Sequence, residues 1–364
     1  MNAAQIFEMV RTVTEQITIP EENDTVILFG AGGLGVMSLS ALQAEHKVTA
    51  FCDNDKNKVG TMIEGVPCIS PAQLLDYPKA FVLIGSVKHY SSIHQQLSQM
   101  EIRHCSLDAY IVQKHWAEFE SVFDILDDDA KKIYAGILLC RVSGDNSEAE
   151  KYFCGNPYFS LPKFNYLFQY GAGGGFIDCG AFVGDTVEEM IKHSLGSVPV
   201  IYAFEPNDRN YAALRKRVSF LCDIWALEPE RIICENAGVG MKSAALSFIA
   251  GDQYIGTQIT HNLDTTGNVR VVSIDEYLKE KGNPTIALIK ADIESYEWDM
   301  LHGAKETIQR CKPKLAICIY HSVYDFFRIP LYLKKLVPEY HFTVRHHSLA
   351  DEETMLYCFI SERK

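Results

Sequence analysis

Short unbroken apolar runs recur along this chain, most of them closed by a glycine turn or an acid. They include VILF before GAGGLG (26–35), VTAFC before Asp53, AFVLI (80–84), GFI before Asp178 and IYAF before Glu205. Others are IIC before ENAGVG, ALI ahead of Lys290 and Asp292, and LAICI ahead of Tyr320 and His321. Runs of this length without alternation predict strands buried on both faces, as in a parallel sheet covered by helices. Between them the spacing becomes helical: MNAAQIFEMVRTVTEQI at the start, then Trp116, Phe119, Val122, Phe123 and Leu126, then 130–140 behind the acids 127–129, from Thr186 onward, and 295–309. RVSGDNSEAEKYFCGNPY (141–158) carries Gly and Asn-Pro signals and reads as loop, leading from the helical region to the second set of strands. The runs at 341–347 and 354–360 predict a closing hairpin, with one antiparallel strand on an otherwise parallel sheet. The pattern therefore predicts an α/β chain with two Rossmann-like domains, 1–112 and 171–364, joined by a helical connector at 113–170.

Composition narrows the function. The chain has 364 residues and a net charge of -13 with no basic block, which argues against unspecific nucleic-acid binding. Its 11 cysteines include no C-x-x-C pair, and several lie in apolar runs, so free buried thiols and a cytoplasmic setting are expected rather than a zinc ribbon. The uncharged stretch 26–44 is interrupted by glycines and serines and reads as strand, turn and helix, not as a membrane span. The N-terminus lacks the apolar core of a signal peptide.

Two glycine turns carry the chemistry. In the second, FIDCGAFVGDT, Asp178, Gly180, Gly184 and Asp185 precede a helix, and Glu205 closes the following strand. Glycines admit a ligand to the backbone, and the strand-end acid can accept both hydroxyls of a ribose. Asp178 and Asp185 would repel a diphosphate by about 4 kcal/mol per charge pair at about 4 Å, but they suit a sulfonium cofactor. The cofactor expected here is S-adenosylmethionine. In the first turn Gly30, Gly32, Gly33 and Gly35 match G-x-G-x-x-G, with Asp53 on the next strand and no acid at the helix start, so a phosphate would be accepted there.

The second half resembles the FkbM methyltransferases through FIDCGAFVGDT, YAFEPN, ENAGVG, LIKADIESYEWDMLHGA, KPKLAICIYH and RHHS…ETMLYC, with YFCGNPYFSLP as a lead-in. That resemblance implies a class I methyltransferase sheet, dependence on S-adenosylmethionine, and methylation of an oxygen, often on a sugar. The family's usual glycine after D-x-E is Ser295 here. The first half resembles the nucleotide-sugar-binding domains of some sugar acyltransferases through FCDNDKNKVG and GVPCISPAQL. That likeness implies a nucleotide or nucleotide sugar at the first turn; a degenerate fold kept for packing is the plainer alternative.

Candidate roles follow from strand-end position. His321 is the first choice of general base, as a histidine titrating near working pH, and Asp292 the second. Asn236 is placed at the adenine edge of the cofactor, which Asp292 could also orient. Lys290, Glu294, Glu297, Tyr320 and Arg345 are expected to meet substrate, with His346 and His347 beside Arg345 as candidates for a phosphate or carboxylate. No metal is expected, although Asp292 and Glu294 offer the oxygens a divalent cation takes. Tyr152, Phe153, Tyr158 and Phe159 are read either as core or as a wall over the substrate. The competing function is an NAD-dependent oxidoreductase or epimerase of nucleotide sugars using the first turn, for which no Tyr-x-x-x-Lys dyad is present. The expected partner is a small-molecule or glycan acceptor; self-association is left open.

Overall fold

The computed structural model describes residues 1–21, 24–87, 89–155, 157–159, 161, 174–197, 200–247 and 268–360. The first sheet contains β1 (Thr25–Phe29), β2 (Lys47–Cys52), β3 (Met62–Ile63), β4 (Val66–Ile69), β5 (Ala80–Ile84) and β6 (His104–Ser106), in the order β3-β4-β2-β1-β5-β6. All its pairings are parallel except β3 with β4. Helix Gly33–Glu45 follows β1 directly. The turn between them is tight: a Cβ on Gly35 would stand 2.1 Å from the carbonyl oxygen of Gly30, so that contact requires glycine.

Helices Leu107–Lys114, Trp116–Ile125 and Asp128–Ser143 follow. The Asp127 side chain accepts from Ala130 N–H and caps the last of these. That helix is buried almost all round from Tyr134 to Val142 because it packs on helix Ala3–Glu15 on one side and on the second sheet on the other. The apolar core consequently runs without a break from Ile6 to Leu356. Arg141 ties the two halves: its Nε donates to Asp108 (2.8 Å) and its Nη1 to the carbonyl of Tyr320 (2.8 Å), with its side chain 3% exposed. The expected loop at 141–158 begins later and is partly ordered, since the helix runs to Ser143, stops on left-handed Gly144, and gives way to a 3-10 helix at Asn146–Tyr152. The expected connector and lead-in extend into 162–170, outside the described residues.

The second sheet holds β7 (Gly175–Cys179), β8 (Ile201–Phe204) and β9 (Ile232–Glu235). A small side sheet follows, built from β10 (Gly238–Val239), β11 (Ala244–Ser247) and β12 (Asn268–Val272). β13 (Ile286–Ala291), β14 (Lys314–Cys318), β15 (His341–His346) and β16 (Thr354–Phe359) then complete the main order β15-β16-β14-β13-β7-β8-β9. β16 is antiparallel to both neighbours and the other strands run one way, as the hairpin pattern predicts. Strand order reverses beside β7, so the ends of β7, β8, β13 and β14 open onto one crevice. The helix expected at 295–309 is two helices, Glu297–Gly303 and Lys305–Cys311, because Glu294 (φ 55°) and Ser295 (φ 78°) are left-handed and delay its start. All 11 cysteines are free. No helix among the described residues is long and apolar enough to cross a membrane, and 26–44 divides into strand, turn and helix.

Candidate functional site

A cavity of about 380 Å³ opens at the C-terminal ends of β7, β8 and β13. Gly180 turns the chain away from β7 at φ 80°, and a Cβ there would lie 2.0 Å from the carbonyl oxygen of Asp292. The backbone can lie against the cavity only because that side chain is missing. Asp185 and Thr186 contribute from the start of helix Asp185–His193, and Phe182, Phe204 and Val239 supply apolar walls. Glu205, at the tip of β8, accepts from Phe182 N–H (2.9 Å) and Asn207 N–H (2.8 Å). Burial pushes its carboxyl up to about 7, against those two bonds. An apolar slot ending in a carboxylate with spare lone pairs fits a nucleoside.

Beneath the cavity, Lys290 Nζ pairs with Asp178 Oδ1 at 3.1 Å, both side chains being buried. Lys290 also donates to the carbonyl of Gly180 (2.6 Å), so one ammonium neutralises Asp178 and fixes the glycine turn. Burial opposes that charge, but Asp178 and Asp292 more than offset it and hold the lysine above its ordinary value. Tyr158 lies over Lys290, with its ring centroid 5.0 Å from Nζ, and donates to Asp292 Oδ2 at 2.9 Å. Burial resists ionisation of Asp292 as well; Lys290 and His321 overcome it and keep this acid below its usual value.

His321 sits among carboxylates. Nδ1 is 3.2 Å from Glu297 Oε1, and Nε2 is 3.6 Å from Asp292 Oδ1 and 3.7 Å from Glu294 Oε2. Burial alone would lower its pKa; Glu297, then Asp292 and Glu294, reverse the sign and raise it to about 10. The expectation of a histidine titrating near neutrality is thus corrected: three carboxylates from neighbouring turns hold His321 as imidazolium at pH 7.

A second cavity, about 670 Å³, runs from the first glycine turn to this cluster. Gly30, Gly32, Gly33, Asp53 and Arg141 line it, and so do Glu294, Tyr320 and His321. Asp53 accepts from Ala31 N–H (2.9 Å) and pairs with Lys58 (3.3 Å). Glu294 and Tyr320 border both cavities.

The structure thus brings together Gly180, Asp185, Glu205, Lys290, Asp292, Glu294 and Tyr320 around the first cavity, and Gly30, Gly32, Gly33, Asp53 and His321 in the second. Other candidates stand outside both. Asp178 lies under the first, Gly184 caps the helix against Leu214, and Gly35 packs below the first turn. Asn236 donates to Asp208 (2.6 Å), and the adjoining Ala237, Gly238 and Val239 form the wall instead. Glu297 is fully buried behind His321. Arg345 is turned to Thr343 Oγ1 (2.9 Å) and the carbonyl of Val344 (2.8 Å). His346 and His347 bond to Thr354 and to Cys154 with Tyr357, which gives them structural employment.

Of the four aromatics read as a wall, Tyr158 lines the first cavity and Phe159 is core. Glu353 went unnoticed in the sequence, yet it lines the first cavity and accepts from Tyr320 OH (3.1 Å). Its position just before β16, at φ 57°, offers no local signal beyond the hairpin itself.

Residues 178–344 match the family model described as Methyltransferase FkbM domain, and residues 22–106 match C2185-like, N-terminal. Among solved structures, methyltransferase FkbM from Methylobacillus flagellatus KT is similar at a TM-score of 0.60 and 19% identity, covering 98% of this chain and 100% of that one; at this identity the likeness shows the fold. UDP-D-quinovosamine 4-dehydrogenase from Vibrio fischeri matches at a TM-score of 0.21 and 23% identity over 25% of this chain and 86% of its own, which is too low to carry an argument. No curated protein matches.

Proposed function

We propose that this chain, whose residues 178–344 match the model described as Methyltransferase FkbM domain, is an S-adenosylmethionine-dependent O-methyltransferase acting on a sugar hydroxyl. The observation that carries the acceptor side is the shared wall: Glu294 and Tyr320 border both cavities, so an acceptor anchored at the first glycine turn reaches the methyl-transfer cavity through them. The long cleft, with its acid-free helix start at Gly33, fits a nucleotide-linked sugar.

The residues present fit the cofactor, whose sulfonium supplies an already activated methyl group. Glu205 would hold the ribose, the wall at Ala237, Gly238 and Val239 the base, and Asp185 with Asp292 the positive end. The protein's share of catalysis is then alignment and exclusion of water. Tyr158 roofs the cavity and orients Asp292. The acceptor's proton leaves into the Asp292 and Glu294 carboxylates, since His321 already holds one; the imidazolium keeps both acids charged and poised.

Incubation with methyl-labelled S-adenosylmethionine and a panel of nucleotide sugars and free glycans tests this reading. Label in a sugar oxygen, with S-adenosylhomocysteine released, is expected. Micromolar NAD binding with no calorimetric response to S-adenosylmethionine would overturn it in favour of an oxidoreductase.

A further inference from the structure

The cleft formed by the two cavities is electrically lopsided. At the first glycine turn it meets the start of helix Gly33–Glu45, which has no acid in its first turn, and Lys58, whose pair with Asp53 is partly exposed. That end favours anions. At the seam, where Glu294 and Tyr320 border both cavities, the walls are acidic. Asp292, Glu294 and Glu353 line the first cavity, and Asp351 and Glu352 join Glu294 in the second. Three cations stand in the same walls, each with a buried acid behind it. Lys290 pairs with Asp178 at 3.1 Å, Arg141 with Asp108 at 2.8 Å and His321 with Glu297 at 3.2 Å. These pairs cancel, so the lining carboxylates outnumber the positive charge left for them. Burial first, and Asp292 besides, pushes the Glu294 and Glu353 carboxyls above their ordinary range, with His321 pulling the other way.

A neutral ligand would leave that imbalance in place, and a carboxylate at the seam would worsen it. S-adenosylmethionine would bring one net positive charge, met on its own side by Asp185 and Asp292. Glu294, Asp351, Glu352 and Glu353 remain for the acceptor. A second observation points the same way. His321 lines the second cavity with a side chain 6% exposed, and its Nε2, 3.6 Å from Asp292 Oδ1 and 3.7 Å from Glu294 Oε2, makes no hydrogen bond. An imidazolium N–H without an acceptor, beside carboxylates short of a cation, fits a ligand that brings a hydroxyl oxygen next to a positive group. We infer that the acceptor is a nucleoside diphosphate linked to an amino sugar whose amine is free and protonated. The diphosphate lies toward the first glycine turn, the ammonium in the field of Glu294, Glu352 and Glu353, and a neighbouring hydroxyl toward His321. Calling this molecule the acceptor rests on the methyltransferase reading; its binding does not.

The test therefore reads binding to the full chain in the absence of S-adenosylmethionine. UDP- and dTDP-linked sugars are titrated by calorimetry, each as its 2-amino, 4-amino and parent hydroxyl form, which are nearly equal in size and differ by one charge. An amino form should bind at least about tenfold tighter than its hydroxyl parent, as an ammonium does beside partly buried carboxylates. That preference should shrink as salt is raised. Glu294→Gln and Glu353→Gln should each reduce it several-fold, with affinity for the hydroxyl form nearly unchanged. Should those variants fail to fold, the salt dependence of the wild type decides. Equal affinity for the two forms, tighter binding of a uronic acid, a preference that neither salt nor substitution moves, or no binding of any of these sugars would each overturn the proposal. A separate titration with S-adenosylhomocysteine reports on the methyltransferase reading by itself, so the two can fail independently.

Discussion

The two glycine turns are built on one plan and charged in opposite ways. In each, an acid at the end of the second strand accepts an N–H from the turn: Ala31 to Asp53 at 2.9 Å, Phe182 to Glu205 at 2.9 Å. Burial opposes ionisation at Asp53, but bonds from Asp55, Ala31 and Lys58 prevail and hold its carboxyl below the usual range. Among the described residues no ion pair forms on Glu205, and burial carries it up to about 7 despite a weak pull from Lys290. The first acid is thus already committed to its own loop, whereas the second gains most from new donors such as ribose hydroxyls. The helix starts differ in the same sense, with Gly33 bare and Asp185 negative. Backbone geometry alone does not name a ligand; the charges placed around the two turns differ.

Five substitutions press on that contrast. The largest effect is expected from Gly180→Ala, where a methyl group would meet the carbonyl oxygen of Asp292 at 2.0 Å in a left-handed backbone. It should cost about 2–4 kcal/mol in thermal unfolding and abolish calorimetric binding of S-adenosylhomocysteine. Gly35→Ala, equally crowded at 2.1 Å from Gly30, should destabilise the fold while sparing that binding; loss of it would mean the turns are not separate sites.

Next comes Glu205→Gln, with an expected weakening of S-adenosylhomocysteine binding by about 1.5–3 kcal/mol. The ionised carboxylate is the form that accepts ribose hydroxyls, and its free-state pKa is about 7. Wild-type affinity should therefore rise with pH up to about 7 and level off above, by at most about tenfold per unit below. A flat profile between pH 6 and 8, or one that survives in Glu205→Gln, would remove Glu205 from the ribose.

Tyr158→Phe removes the 2.9 Å bond to Asp292 and should cost about 1 kcal/mol in transition-state stabilisation, read as a several-fold drop in kcat/KM. The smallest effect belongs to Lys58→Ala. Its partly exposed pair with Asp53 should be worth no more than about 1 kcal/mol in stability, with no change in S-adenosylhomocysteine titrations.

Much of this was legible along the chain. Runs such as IYAF and LAICI have no alternation because both faces of their strands are covered, and the polar residues that follow them, Glu205 and Tyr320 with His321, are forced to one edge by parallel pairing. Other features depend on residues far apart. Tyr158 reaches Asp292 across 134 positions, and no periodicity encodes that contact. The elevated pKa of His321 comes from three carboxylates of the single segment 292–297, brought to it by the pairing of β13 with β14, so the residue itself gives no hint. Glu297 was placed in the substrate region by the resemblance, whereas it supports the histidine from behind. Ser295 occupies a left-handed position at φ 78°, a backbone conformation that favours glycine, and marks a point of strain in this chain.

Arg141 sets a length. One guanidinium grips Asp108 at the start of the helix after β6 and the carbonyl of Tyr320 beyond β14, and thereby works as a ruler that fixes the distance between the two sheets' ends. Arg141→Lys puts one ammonium where two separate nitrogens now bond, so it can keep one grip at most and should loosen the tie between the halves. Its mark would be a lower unfolding temperature, since a buried Asp108 would lose its partner.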